Sequence, residues 1–149
     1  MSEIIKLSRS TVEKYLSCPR CCVLDKKYKI KPPSLPFTLN IAVDNLCKNE
    51  FDYYRKIQEP HPLFIEYGID AVPFKHEDLE RWRSNFQGIR YKSIKHKYDF
   101  GGAVDDIWQK KNDDLIIVDV KATSRNNFDW SETFNKYQYA KAYKRQLEM

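Results

Sequence analysis

The chain has 149 residues, 42% of them hydrophobic and 32% charged. That is enough for one domain with a real core, and the mix excludes a disordered chain. No apolar run is long enough to span a bilayer, and the opening Met1-Ser2-Glu3-Ile4-Ile5-Lys6 has no signal-peptide core, so a cytoplasmic protein is expected.

In chain order, Leu7 to Glu13 opens a short helix. Ser10 followed by Glu13 fits a capping box, and Ser8, flanked by Leu7 and Val12 as a staple, is the rival cap. The helix is expected to run to about Cys18, where Pro19 interrupts it. A basic segment with Pro32, Pro33 and Pro36 follows and reads as extended. Thr38 or Asn40 starts a second helix through about Lys56, with Ile41, Leu46 (or Val43), Cys47 and Tyr54 as its apolar stripe. Glu59 to Gly88 is broken by Pro60, Pro62, Gly68 and Pro73 and reads as an irregular connection, with a helical turn or two over His76 to Trp82. Its Phe64, Tyr67, Phe74, Trp82 and Phe86 are expected as core anchors.

From Ile89 the pattern turns to strands: Ile89 to Lys97, then Phe100 to Gln109 begun by Gly101 and Gly102, then Leu115 to Lys121. The last is β-branched or Leu up to Asp119 and reads as a central strand buried on both faces. Lys111-Asn112-Asp113-Asp114 is a turn by composition. Asp129 or Ser131 caps a final helix carrying Phe134, Tyr137, Ala140, Tyr143 and Leu147. The expected fold class is α/β or α+β, a small mixed sheet flanked by helices with the Phe100 to Thr123 hairpin at its heart, in a single domain over 1–149.

The net charge of +5, from 26 Lys+Arg against 21 Asp+Glu, suits a nucleic-acid partner without proving one. Lys26, Lys27, Lys29 and Lys31 form one basic cluster; Arg90, Lys92, Lys95, His96 and Lys97, interleaved with Tyr91 and Tyr98, form another. Solvated surfaces give the same pattern. The four cysteines are Cys18, Cys21, Cys22 and Cys47. Cys18-Pro19-Arg20-Cys21 has the spacing of half a metal site, but adjacent Cys21 and Cys22 rarely ligate one ion together, so zinc or an iron–sulfur cluster at Cys18 and Cys21 is not the expectation.

The chemistry points to the hairpin. With a loop centred on Asn112, Asp105 and Asp119 each lie seven positions away and face each other directly; a two-residue turn makes them a diagonal pair. Lys121, two residues after Asp119, points to the same side. A carboxylate in so apolar a strand is costly, and two together repel. A hard divalent cation, Mg²⁺ or Mn²⁺, offsets both costs. The competing reading is a strand-end salt bridge between Lys121 and Asp119 or Asp105. Asp106 alternates to the other face and reads as a surface or hydrogen-bonding residue.

Gly102-Ala103-Val104-Asp105, a turn, then Asp119-Val120-Lys121 resembles the G-x-x-D…(D/E)-x-K signature of the PD-(D/E)XK nuclease superfamily. Leu7-Ser8-Arg9-Ser10-Thr11-Val12-Glu13-Lys14-Tyr15-Leu16-Ser17-Cys18-Pro19 is similar to the opening of its RecB-like, CRISPR-associated exonuclease branch, Leu-Ser-x-Ser-x-Leu-x-x-Tyr-x-x-Cys-Pro. The resemblance covers most of the chain. It implies a restriction-endonuclease-like core and Mg²⁺-dependent hydrolysis of DNA phosphodiester bonds. It puts metal ligation on Asp105, Asp119 and the Val120 carbonyl, and catalysis on Asp105, Asp119 and Lys121.

In Asn40-Ile41-Ala42-Val43-Asp44, Asp44 would replace the branch's helical His as a supporting ligand. The branch's Q-x-x-x-Y falls on Gln146, with Gln138 as the rival. Related exonucleases with an iron–sulfur cluster use one early and three late cysteines; here all four are early. The family's strand after the last helix is not in this sequence, so a C-terminally short domain is expected, with an open sheet edge able to pair with a second copy or a partner chain. A non-catalytic nucleic-acid-binding module or subunit is the alternative function, and a zinc-stabilised interaction domain the third.

Overall fold

The computed structural model describes residues 4–33, 38–122, 129–136 and 138–148. It is a mixed α/β structure with two small three-stranded sheets. The chain divides into two compact units, one of Met1–Pro36, Ile89–Gly102 and Asn127–Met149, the other of Phe37–Gly88 and Ala103–Asn126. Among the described residues no helix is long and apolar enough to cross a membrane.

The first unit holds strands β1 (Ile5–Leu7), β3 (Ile89–Ser93) and β4 (Tyr98–Gly102) and helices α1 (Arg9–Ser17), α2 (Pro19–Tyr28), α6 (Trp130–Lys136) and α7 (Gln138–Glu148). Its sheet runs β1-β4-β3, with β1 parallel and β3 antiparallel to β4. Ser8 caps α1 by accepting the Thr11 N–H at 3.4 Å, so the rival cap holds the position. Pro19 does more than end α1. It opens α2, because the first helical position needs no N–H and favours proline's fixed φ. Lys26 and Lys27 lie on that helix, not in an extended segment; the helix closes at Lys29 in the left-handed region (φ 60°), and Lys31 follows outside it. Lys14 pairs with Asp25 between α1 and α2. Arg145 of α7 grips both oxygens of Glu13 at 2.7 and 2.8 Å, and its guanidinium holds that carboxyl below the usual range. The final helix is described as α6 and α7; Asp129 accepts the Glu132 N–H at 2.6 Å, the side-chain contact of a cap. Ala140 is buried, Tyr143 half-buried and Leu147 exposed; Tyr137 and the Phe134 side chain lie outside the described residues.

In that sheet Gly101 meets Ile89 so closely that a Cβ would collide with the Ile89 carbonyl oxygen, whereas at Gly102 a Cβ meets only open space. Gly101→Ala is expected to destabilise by about 1–3 kcal/mol through forced strand separation, with Gly102→Ala close to neutral. Urea denaturation of the two variants checks this; equal midpoints would refute it.

The second unit holds α3 (Thr38–Ile57), α4 (Pro62–Glu66), β2 (Ala71–Pro73), α5 (Leu79–Arg83), β5 (Asp106–Lys110) and β6 (Leu115–Val118), with its sheet in the order β2-β5-β6. Phe51, Phe64 and Ala71 form the core, joined by Cys47, Ile69, Trp108, Ile116 and Val120. Phe64 and Trp108 pack at a tilt with centroids 4.1 Å apart, and buried His61 caps α4 through the Leu63 N–H. The inward stripe of α3 is only partly the one expected: Cys47 packs on the core, and Tyr54 and Val43, the alternative to Leu46, are half-buried. Ile41 and Leu46 are exposed, and Asp44, Cys47, Lys48, Phe51 and Arg55 carry the inner face. Of the expected aromatic anchors Phe64 is buried, Phe74 and Trp82 are half-buried, and Tyr67 and Phe86 are exposed.

Two strand expectations change. Phe100 to Gln109 is not one strand: β4 ends at Gly102 and β5 begins at Asp106, the chain leaving one sheet for the other across 103–105. Leu115 to Lys121 is not a central strand either. β6 stops at Val118 and, among the described residues, is an edge whose Leu115 and Ile117 are half-exposed. The central strand is β5, and polar Asp106 heads it.

Candidate metal and acid–amine site

The hairpin of β5 and β6 sets the geometry. Ile107 pairs with Ile117 and Asp106 with Val118, a register centred on Asn112. Asp113 N–H bonds to the Lys110 carbonyl and Asp113 has φ 66°, a three-residue loop closed by a left-handed residue. Continuing the register by one pair sets Asp105 opposite Asp119, just past the strand ends. This is the direct-pair geometry, not the diagonal one.

The two carboxyl groups lie close enough to act on each other's ionisation. Asp105 Oδ2 accepts the Val120 N–H at 2.8 Å, which pins its side chain across the strand ends. The Asp119 side chain is only 7% exposed. Burial pushes its carboxyl above the ordinary aspartate range, Lys121 pulls it back, and Asp105 raises it again. Lys121 pairs with Asp119, and its amine also lies 3.2 Å from the Val120 carbonyl oxygen. The salt bridge foreseen as the competing reading is thus formed, within the same cluster as the paired carboxylates.

Helix α3 supplies the rest. Lys48 Nζ lies 2.7 Å from Asp44 Oδ2 and 3.5 Å from Asp105 Oδ1, bridging helix and strand end. Asp44 Oδ1 is buried without a hydrogen-bond partner among the described residues. Asp44, Asp105, Asp119, Val120 and Lys121 therefore gather in one unit, with Lys48 between two of the acids. Lys48 was not among the residues the sequence pointed to. The i, i+4 spacing of the pair on α3 was the signal that could have found it. Gln146 sits half-buried on α7 of the first unit; Gln138 begins that helix, and its side chain lies outside the described residues.

Next to this cluster, Asp106 at the head of β5 is fully buried and holds two guanidiniums, Arg55 and Arg83 (3.1 Å to the latter). Its own backbone neighbour Ile107 donates at 2.7 Å. Arg83 also reaches both oxygens of Asp52 at 2.8 and 3.0 Å, and Arg55 donates to the Phe74 carbonyl at 2.7 Å. Asp106 is hydrogen-bonded, as one of its expected roles allowed, but it is not on the surface. Arg55 and Arg83 went unrecognised because nothing local marks an arginine as buried.

Lys48 and Arg83 also line a polar cleft of about 590 Å³, with Asn45, Asn49 and Ser84. The oxygen-rich donors Asp105, Asp119 and the Val120 carbonyl, together with the orphaned Asp44 oxygen, fit a hard divalent cation. Among the described residues no three carboxylate, imidazole or thiol groups already converge at ligand spacing. Lys121 and Lys48 supply positive charge between the acids instead. Comparison with protein-family models, curated proteins and solved structures finds no match to this chain.

Proposed function

We propose that this chain is a metal-dependent nuclease domain of the PD-(D/E)XK type that hydrolyses DNA phosphodiester bonds. The observation that carries the reading is the pairing of Asp105 with buried Asp119, beside the Lys121 amine, at the open ends of β5 and β6. Fold cost alone does not favour two adjoining acids there; a function that uses their charge does. Mg²⁺ or Mn²⁺ would be held by Asp105, Asp119 and the Val120 carbonyl with Asp44 in support, and when bound it polarises the scissile phosphate and lowers the pKa of a coordinated water.

The chain's own groups carry the rest. Lys121 releases Asp119 and turns its ammonium to the attacking water or the developing phosphorane charge. Lys48 keeps Asp44 and Asp105 oriented from α3. The exposed Lys26 and Lys27 on α2, Lys29 at its end, and Arg90 and Lys92 on β3, offer charge to phosphates without reading sequence. The restriction-endonuclease-like core and a cytoplasmic location belong to the same proposal.

A second reading has its own support: Lys48 and Lys121 already compensate the acids, as a nucleic-acid-binding module without catalysis requires. Cleavage of single- and double-stranded DNA with Mg²⁺ or Mn²⁺ separates the two. Wild-type protein is expected to cut, and Lys121→Ala to lose on the order of a hundredfold or more in rate. Binding without cutting would favour the module. Equal rates in wild type, Asp119→Ala and Lys121→Ala would reject the site.

A further inference from the structure

The acid–amine cluster makes no use of the Cys18-Pro19-Arg20-Cys21 segment, which has a chemistry of its own. Cys18 is the junction of two helices. Its N–H closes α1 on the Lys14 carbonyl at 2.9 Å, and its carbonyl accepts the Cys22 N–H at 3.0 Å to open α2. Its backbone is extended there (φ −160°, ψ 100°), which aims the sulfur back over the first turn of α2. The sulfur accepts the Cys21 N–H at 3.4 Å, the place a Ser or Asp oxygen takes at other helix starts. Pro19 leaves the first position without a competing N–H.

The Cys21 N–H bond to the Cys18 sulfur holds the two cysteines on one turn, i to i+3, at the start of α2. Cys18 is half-buried and Cys21 exposed, which leaves the pair open to a small reagent. Cys22 is turned away, its thiol 3.8 Å from the Thr11 carbonyl oxygen. The roles of the two thiols are unequal. Backbone and thiol donors from Cys21, with Arg20 adding to them, hold Cys18 below the ordinary thiol range; the Cys18 sulfur raises Cys21. One sulfur is built to be a thiolate and the other to keep its proton beside it.

We propose that Cys18 and Cys21 form a redox-active dithiol, with Cys18 as the attacking and Cys21 as the resolving thiol, that exchanges with small aliphatic disulfides such as glutathione disulfide. The Cys18 thiolate attacks one sulfur of that disulfide. A mixed disulfide forms, the original S–S bond breaks, and one thiolate leaves. Cys21, losing its proton to solvent, then attacks the Cys18 sulfur, forms the Cys18–Cys21 bond and expels the second thiolate. The dithiol is oxidised by two electrons, and the small disulfide is reduced to two thiols. A thiolate at a helix N-terminus is stabilised by the N–H groups there, so this couple is more oxidising than an unconstrained dithiol.

The test uses the full chain in graded glutathione redox buffers, quenched by alkylation and read by peptide mass spectrometry. Wild type is expected to accumulate the Cys18–Cys21 disulfide reversibly, and Cys21→Ser to stop at a Cys18–glutathione adduct. At neutral pH, Cys18 in Cys21→Ser is expected to react with iodoacetamide on the order of tenfold faster than Cys21 in Cys18→Ser. Serine can keep the cap in Cys18→Ser, and circular dichroism checks that both variants fold. The proposal is overturned if wild type also stops at the adduct, if the two cysteines react equally fast, or if the purified chain carries stoichiometric zinc that either substitution releases.

Discussion

Asp119→Asn is expected to abolish metal-dependent cleavage and, in the absence of divalent cations, to raise the melting temperature. The two effects share one cause. Asp119 is almost fully buried, and burial lifts its carboxyl above the ordinary range despite Lys121. In the unfolded chain it ionises near pH 4. Below that pH both states are protonated and Asp119 carries no penalty. As pH rises from there through the raised folded value, the unfolded state loses its proton first, and folding pays for the buried charge from then on. Asparagine carries no such charge, so its advantage is absent at pH 3 and fully present near neutrality. Activity should fall by roughly a thousandfold, the upper end for removing one electrostatic contact at a reacting centre. Adding Mg²⁺ should raise the wild-type melting temperature and leave the variant unmoved. Thermal melts from pH 3 to 8, with and without Mg²⁺, read all of this. A variant less stable than wild type at neutral pH would make Asp119 a structural partner of Lys121 and remove the physical ground for the metal.

Asp106, at the head of β5, behaves in the opposite sense. Asp106→Ala is expected to cost about 3–5 kcal/mol, since it strands Arg55 and Arg83 as buried charges without their shared carboxylate. Both arginine side chains are under a tenth exposed, and Asp106 is wholly buried, so water cannot take its place without opening the core. Chemical denaturation gives the loss directly. The double variant Asp106→Ala, Arg55→Met should recover part of it, because one stranded charge is gone. A loss below about 1 kcal/mol would show that Asp52 alone satisfies the arginines, the range expected of exposed pairs.

The hairpin was the most legible part of the sequence. Its turn composition and the run of β-branched residues fix where β6 begins, and counting from Asn112 pairs Asp105 with Asp119 without any tertiary information. The break at 103–105 was not legible. Gly101 and Gly102 look like the start of a strand, yet Gly101 is a close approach within β4, which only the neighbouring Ile89 backbone reveals. The edge position of β6 was hidden for a related reason, since an apolar run records how sticky a strand is and not how many neighbours it has. On α3 the helix period was right and the face only partly so. Cys47 faces the core as expected, but Phe51 was left out of the stripe, and Lys48 and Arg55, for which the sequence pattern indicated no role, join Asp44 as polar residues on the inner face. A helix that carries ionic groups toward its own unit defeats a search for apolar periodicity.

Surface loops ordinarily absorb inserted or deleted residues at little cost. The loop over Lys111, Asn112 and Asp113 is different, because the consecutive aspartates at the head of the adjoining strand have different partners: Asp105 takes the Val120 N–H across the hairpin and Asp106 the core arginines. Gaining or losing a single residue there would slide one strand by a step and trade the two acids: the core arginines would meet the wrong one, and so would Asp119 across the hairpin. Turn length, in an exposed loop tied to Asp70 through Lys111, is thus a fidelity device that tells two identical side chains apart.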